Sequence, residues 1–256
     1  ITFNGTLDLI NNAGSNNSQI YCNNRANSAN LYNQNITIQT TNASSDGIRF
    51  GQNGGTGTLA ATKTITIGAG GFIAGELRFR NFIQMGATPQ ALTLTGTGRI
   101  RYRDGSIFNG DLTSVSPSLL TEGGTFNGIT SLTKNGVGND DSQGGCTFNN
   151  TTTITTNSVN RFRMSNNGGF IDDFNADVTF VRLGSGSMEI ARSGINTFSG
   201  NVNINGASII TFGQGGGTAK FDGTADQSIN DILGTSARPD FYRLEMENSV
   251  SELTLN

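Results

Sequence analysis

The 256-residue chain carries a net charge of −3 with only 14% charged residues, which argues against a nucleic-acid partner. It has 36 Gly, no His and no Trp, and no apolar run keeps helical spacing over 11 residues or more, so helices are not expected. Nor does any apolar run approach the ~18 residues of a membrane-spanning helix, so an all-β protein without membrane insertion is predicted.

Taken in chain order, the elements repeat. A Phe-containing corner, TFNG at Thr2, is followed by the alternating LDLI at Leu7 and by IYC at Ile20. Tyr32 in LYNQ heads a second unit, with ITIQ at Ile36 and IRF at Ile48. Next come ITIG at Ile65 with LRF at Leu77, then LTLT at Leu92 with IRY at Ile100. The corner returns as IFNG at Ile107, TFNG at Thr125, TFNN at Thr147, TFSG at Thr197 and KFDG at Lys220. From Phe108 through Phe126, Phe148, Phe174 and Phe198 to Phe221 the intervals are 18, 22, 26, 24 and 23 residues. VTFV at Val178, VNIN at Val202 and LTLN at Leu253 continue the second strand; FRM at Phe162, MEI at Met188 and ITF at Ile210 continue the third.

Short strands and Gly/Asn turns recurring at such a period mark a solenoid. The predicted fold is a single-stranded parallel β-helix, or β-solenoid, with three short strands per coil, about ten coils and a right-handed turn. Residues 1–256 are read as one continuous segment, excised from a longer repetitive chain. Period-2 alternation sends the outer residues of ITI or IRF inward and the middle one out. In the corner, Phe is expected to stack inside, Asn to pair with its counterpart on the next coil, and Gly to supply a positive-φ bend. Cys22 aligns with Phe50, Phe79 and Tyr102 as a core position; Cys146 lies about five coils away, beyond the ~7 Å reach of a disulfide.

Two outward rows stand out. Thr37, Thr66, Thr93, Thr113, Thr179, Asn203 and Thr254 form a polar row, whose irregular neighbours argue against an ice-matching surface. Arg49, Arg78, Arg101 and Arg163 each stand between two inward apolar residues, with Arg80 and Arg103 on the same face. Stacked guanidinium groups repel, so they are either neutralised by acids such as Glu76 and Asp104 or open to an anionic glycan, whose carboxylate or sulfate suits the guanidinium fork. The acids of NDD at Asn139 and of DDFNAD, with Asp172, Asp173 and Asp177, are read chiefly as solvated loops. No catalytic residue, metal site or cofactor is assigned; the absence of His removes the commonest general base.

TFNG followed by TTTITT, NNGG and DVTF resembles the giant repetitive surface proteins of Bacteroidetes, among them gliding-motility adhesins exported by type IX secretion. The closing segment is similar to one recurring in that family through Phe221, Gly223, Gln227, Ile229, Phe241, Tyr242, Leu244, Asn248, Ser249 and Leu253 to Leu255. It departs from the family's more neutral form at Arg243, Glu245, Glu247 and Glu252. The resemblance implies a non-enzymatic shaft segment of an extracellular cell-surface filament, in surface attachment or gliding. Its partners would be a surface polysaccharide or other cell-surface ligand, further coils of the same chain, or filament neighbours. Two alternatives are a carbohydrate-active β-helix acting on acidic polysaccharide, with the Arg row binding and the Asp172/Asp173 region reacting, and an end-to-end self-assembling subunit.

Overall fold

The computed structural model describes residues 1–15, 18–206, 208–231, 239–247 and 252–256. Asn248 and Ser249 of the closing segment therefore lie outside the described residues. Close Cα approaches divide the chain into two compact units, Ile1–Gly128 and Ile129–Asn256. Among the described residues both are built of short strands and turns, on one plan.

In the first unit the corner strands Thr2–Phe3, Ala29–Tyr32, Thr56–Leu59, Phe82–Gln84, Ile107–Phe108 and Thr125–Phe126 pair successively and in parallel. The third strands of each coil, Gln19–Cys22, Gly47–Phe50, Glu76–Phe79, Arg99–Arg103 and Ser118–Glu122, form a second parallel ladder. The remaining face joins Leu7–Asn11, Ile36–Thr40 and Ile65–Phe72, and separately Gln90–Thr93 with Leu112–Ser116. In the second unit, corner strands from Thr147–Phe148 to Leu244–Met246 stack likewise. So do the second-face strands from Thr130–Lys134 to Leu253–Leu255 and the third-face strands from Asp140–Asp141 to Pro239–Phe241. Each strand thus pairs with its counterpart one coil on, three strands later in the chain. That is the parallel β-helix predicted from the repeat.

Alternation decides what lies inside. Ile36 and Ile38, Ile48 and Phe50, and Val202 and Ile204 are all completely buried, while Thr37, Arg49 and Asn203 between them are partly exposed. The corner Phe ladder is present: Phe108 lies opposite Phe126, and Phe148, Phe174, Phe198 and Phe221 follow in register. Phe148 and Phe174 stack with ring centres 4.7 Å apart, and Phe174 and Phe198 at 5.4 Å. Tyr32 takes the same place, stacked on Phe3 at 5.3 Å. A parallel stack on the third face runs Phe50, Phe79 and Tyr102, with Cys22 opposite Phe50 as the alignment implied. Both cysteines are buried and neither is in a disulfide, and burial pushes the Cys22 thiol up to about 11.

The residue after the Phe does pair between coils. Asn33 donates through Nδ2 to Asn4 Oδ1 (2.8 Å), Asn127 to Asn109 (2.6 Å) and Asn175 to Asn149 (2.7 Å); where the motif changes, Ser199 donates to Asp222 (2.9 Å). The motif glycine requires a correction. Gly110, Gly128, Gly200 and Gly223 are not among the positive-φ residues. What excludes a side chain is backbone approach at the corner: a Cβ on Gly128 would lie 2.4 Å from Gly110 C, and one on Gly200 2.5 Å from Ala176 C.

Candidate anion-binding face

On the third face of the first unit, inward Ile48, Phe50, Leu77, Phe79, Ile100 and Tyr102 fix the strands, and the residues between them must point out. Arg49 is therefore opposite Arg78, and Arg78 opposite Arg101, in one row across three adjacent strands. Parallel strands lie ~4.8 Å apart, so the row holds three guanidinium groups within ~10 Å. Arg99 and Arg103 flank Arg101 at the same outward parity on Arg99–Arg103, and Arg80 follows the strand that carries Arg78.

Glu76 makes this crowding tolerable. Its side chain is almost fully buried, and it lies one outward position before Arg78, directly opposite Arg99 on one side and Gly47 on the other. Oε1 is 2.5 Å from Arg78 Nη2 and 3.4 Å from Arg49 Nε; Oε2 is 3.5 Å from Arg101 Nη1 and 4.0 Å from Arg99 Nη1. One carboxylate therefore touches four guanidinium groups. Gly47 is required opposite it: its φ is +107°, and a Cβ there would sit 2.2 Å from the Glu76 carbonyl oxygen. Glu122, also buried, lies 2.7 Å from Arg101 and 3.5 Å from Arg103, while Asp104 is 3.9 Å from Arg80. Burial pushes the Arg78 guanidinium below its ordinary value; Glu76 opposes the fall, and Arg49 and Arg101 add to it. For Arg101, the pull of Glu122 and Glu76 together outweighs desolvation and leaves it raised.

The acids do not satisfy every donor. Arg49 Nε, Arg80 Nε and Arg103 Nε are buried and without a hydrogen-bond partner. Beside the row a shallow groove of about 290 Å³ is lined by Asp46, Arg49, Gly75, Glu76, Thr97, Arg99 and Ser118.

Arg163 has different surroundings. It belongs to the second unit, opposite Asp141 and Glu189, at 3.5 Å and 2.8 Å from their carboxylates. Arg161 also reaches Asp141 at 2.6 Å and holds that carboxyl below its usual range. The structure thus brings Arg49, Arg78 and Arg101 together and places Arg163 in an ion-paired cluster of its own. Arg99, Glu122 and Gly47 were missed in the sequence; Arg99 and Glu122 share the outward parity that identified the row.

Asp140, Asp141, Asp172 and Asp173 correct the loop reading by lying on strands, while Asp177 is exposed between strands as expected. Asp172 and Asp173 lie on the strand Ile171–Phe174 and face opposite ways, Asp172 into the core and fully buried. Asp172 Oδ1 accepts from the Cys146 amide at 2.9 Å and Oδ2 from Ser165 Oγ at 2.7 Å; desolvation raises its pKa to about 6. An internal carboxylate so placed does not meet an external glycan. Asp140 is likewise buried, 3.7 Å from buried Lys134, rather than solvated in a loop. The threonine row is broken: Thr93 lies opposite Val115 and Thr113 opposite Ala91. Among the described residues, no helix is long and apolar enough to cross a membrane.

No family model, curated protein or solved structure matches this chain.

Proposed function

We propose that this chain is a shaft segment of an extracellular cell-surface filament, of the adhesin kind its motifs resemble, exported to the surface and serving attachment or gliding. The observation that carries this reading is the coil-to-coil ladder. Backbone strands, Phe rings and Asn amides each pair with the same residue type one coil on. Such a structure adds length by repetition without needing a closed globular core, and it presents flat side faces. The aspartates that would have been the reacting groups of a carbohydrate-active enzyme do not converge on a surface site, because Asp172 is internal.

The test is antibody labelling of intact source cells, with antibody raised against the purified chain. Labelling of intact cells is expected. Labelling that appears only after permeabilisation would overturn the proposal.

A further inference from the structure

Charge is segregated between the two units. Ile1–Gly128 contains eight Lys and Arg against six Asp and Glu, a net +2; Ile129–Asn256 contains eight against thirteen, a net −5. In the first unit, six of the cations are Arg49, Arg78, Arg80, Arg99, Arg101 and Arg103, all on or beside the third face. The carboxylates beside them are Asp46, Glu76, Asp104 and Glu122, so the face holds an excess of two positive charges. Away from it, Arg25 and Lys63 balance Asp8 and Asp111. The net charge of the unit is therefore that of this one face.

We propose that the arginine face of the first unit binds a linear acidic polysaccharide, with carboxylate or sulfate groups meeting Arg49, Arg80, Arg99 and Arg103 while Glu76 holds the row in place. This deepens the shaft reading by naming what the shaft presents. It rests on three features. Arg99, Arg80 and Arg103 keep 45%, 33% and 24% of their side chains exposed, so their terminal nitrogens are within reach of a ligand. The ion pairs of this face are loose: Arg49 Nε and Arg103 Nε stand 3.4 and 3.5 Å from Glu76 and Glu122 without a hydrogen bond, and Arg80 stands 3.9 Å from Asp104, so an external anion can compete for these guanidinium groups. The cations also repeat with the coil, at ~4.8 Å, on a rigid sheet, which favours a chain of spaced anionic groups over a single ion. Half-exposed Tyr21, with Arg49 Cζ 6.0 Å from its ring centre, extends the row with an apolar plate suited to a sugar face. A nucleic acid is the less favoured polyanion. The outward positions of this face, Tyr21 apart, carry no series of aromatic rings for bases to stack on.

The experiment is titration calorimetry with the full chain against polygalacturonate, dextran sulfate, neutral dextran, inorganic sulfate and a single-stranded oligothymidylate. It is run at about 20 mM and about 500 mM salt, which spans strong to weak screening. The test variant is Arg80→Gln/Arg103→Gln. Its control, Arg25→Gln/Lys63→Gln, removes the same charge elsewhere in the unit. Circular dichroism establishes that each variant is folded, and Arg80→Lys/Arg103→Lys keeps the charge while removing the fork. Binding of an acidic glycan at low salt is expected to weaken about tenfold in the test variant, less in the lysine variant and under twofold in the control. Absence of acidic-glycan binding at low salt would overturn the proposal. So would equal loss in test and control, tighter binding of the oligothymidylate, or inorganic sulfate binding as well as the polymers. These results leave cell-surface labelling untouched, so failure here is distinct from failure of the shaft reading.

Discussion

Asp172 shows how much one inward position can matter. Its ordinary pKa is 3.8 and burial raises it to about 6 in the folded chain. The folded state therefore holds the proton more tightly than the unfolded state. That contribution to stability is complete below pH about 4 and is lost as pH rises through about 6, a shift of about 2 units or about 3 kcal/mol. Asp172→Asn keeps the shape and the bond from Cys146. Ser165 Oγ, 3.3 Å from the Ile195 carbonyl, can then accept from the new amide and donate to that oxygen. The Ser165 and Gly145 amides also donate to the Asp172 carboxyl, and an Asn NH2 cannot accept, so the variant is expected to be less stable than the parent near pH 4, with the difference narrowing or reversing as pH rises to 7. Urea unfolding at several pH values measures this; a constant difference across the range would sink it. In the corner motif the expected cost is smaller. Asn127→Ala removes the bond to Asn109 and should cost about 1 kcal/mol, read from the same urea midpoints.

At the scale of the strand, the third face depends on an acid and a glycine directly opposite each other. Replacing Glu76 by Gln removes the one charge shared by Arg49, Arg78, Arg99 and Arg101, leaving nearly buried Arg78 among like charges. A loss of about 3 kcal/mol is expected, partly recovered at high salt because the repulsion is then screened. Stability that is unchanged, or that falls further with salt, would show that Glu76 does not have this part. The row itself was legible in the sequence because each arginine stands between two large apolar residues, and that pattern has one orientation on a strand. Its organiser was legible only in part. Glu76 is named in the sequence as a neutralising acid, but that one carboxylate serves four guanidinium groups emerges only when the ladder register sets it against Gly47 and Arg99. Inward polar residues were hidden for a related reason. Gln90 brackets a corner by accepting from the Ile65 amide and donating to the Lys63 carbonyl, and Gln227 donates to the carbonyls of Phe198 and Gly200. Such residues break the apolar period while lying inside, as Asp172 does, so alternation alone counts them as exposed. The motif glycine was identified correctly and explained wrongly, since backbone approach between coils has no signature in a single repeat.

Over the whole molecule, the energetics of a solenoid follow from nearest-neighbour stacking, because each coil touches little besides the coils before and after it. Phe174 provides a direct test. Its ring lies 4.7 Å from Phe148, 5.4 Å from Phe198 and 5.8 Å from Phe180, so truncation opens a cavity shared by three strands besides its own. Phe174→Ala should cost about 3–5 kcal/mol in total. That loss should be graded along the ladder. Amide exchange is expected to speed up most in Thr147–Phe148, Val178–Arg182 and Ile195–Phe198, and less in Thr218–Phe221, one coil further on. Hydrogen–deuterium exchange read by mass spectrometry on overlapping peptides resolves these strands. A uniform loss of protection through all of them would mean that the unit opens as a single cooperative body. A graded loss would mean that each coil is stabilised mainly by its neighbours, the property a shaft built by repetition requires.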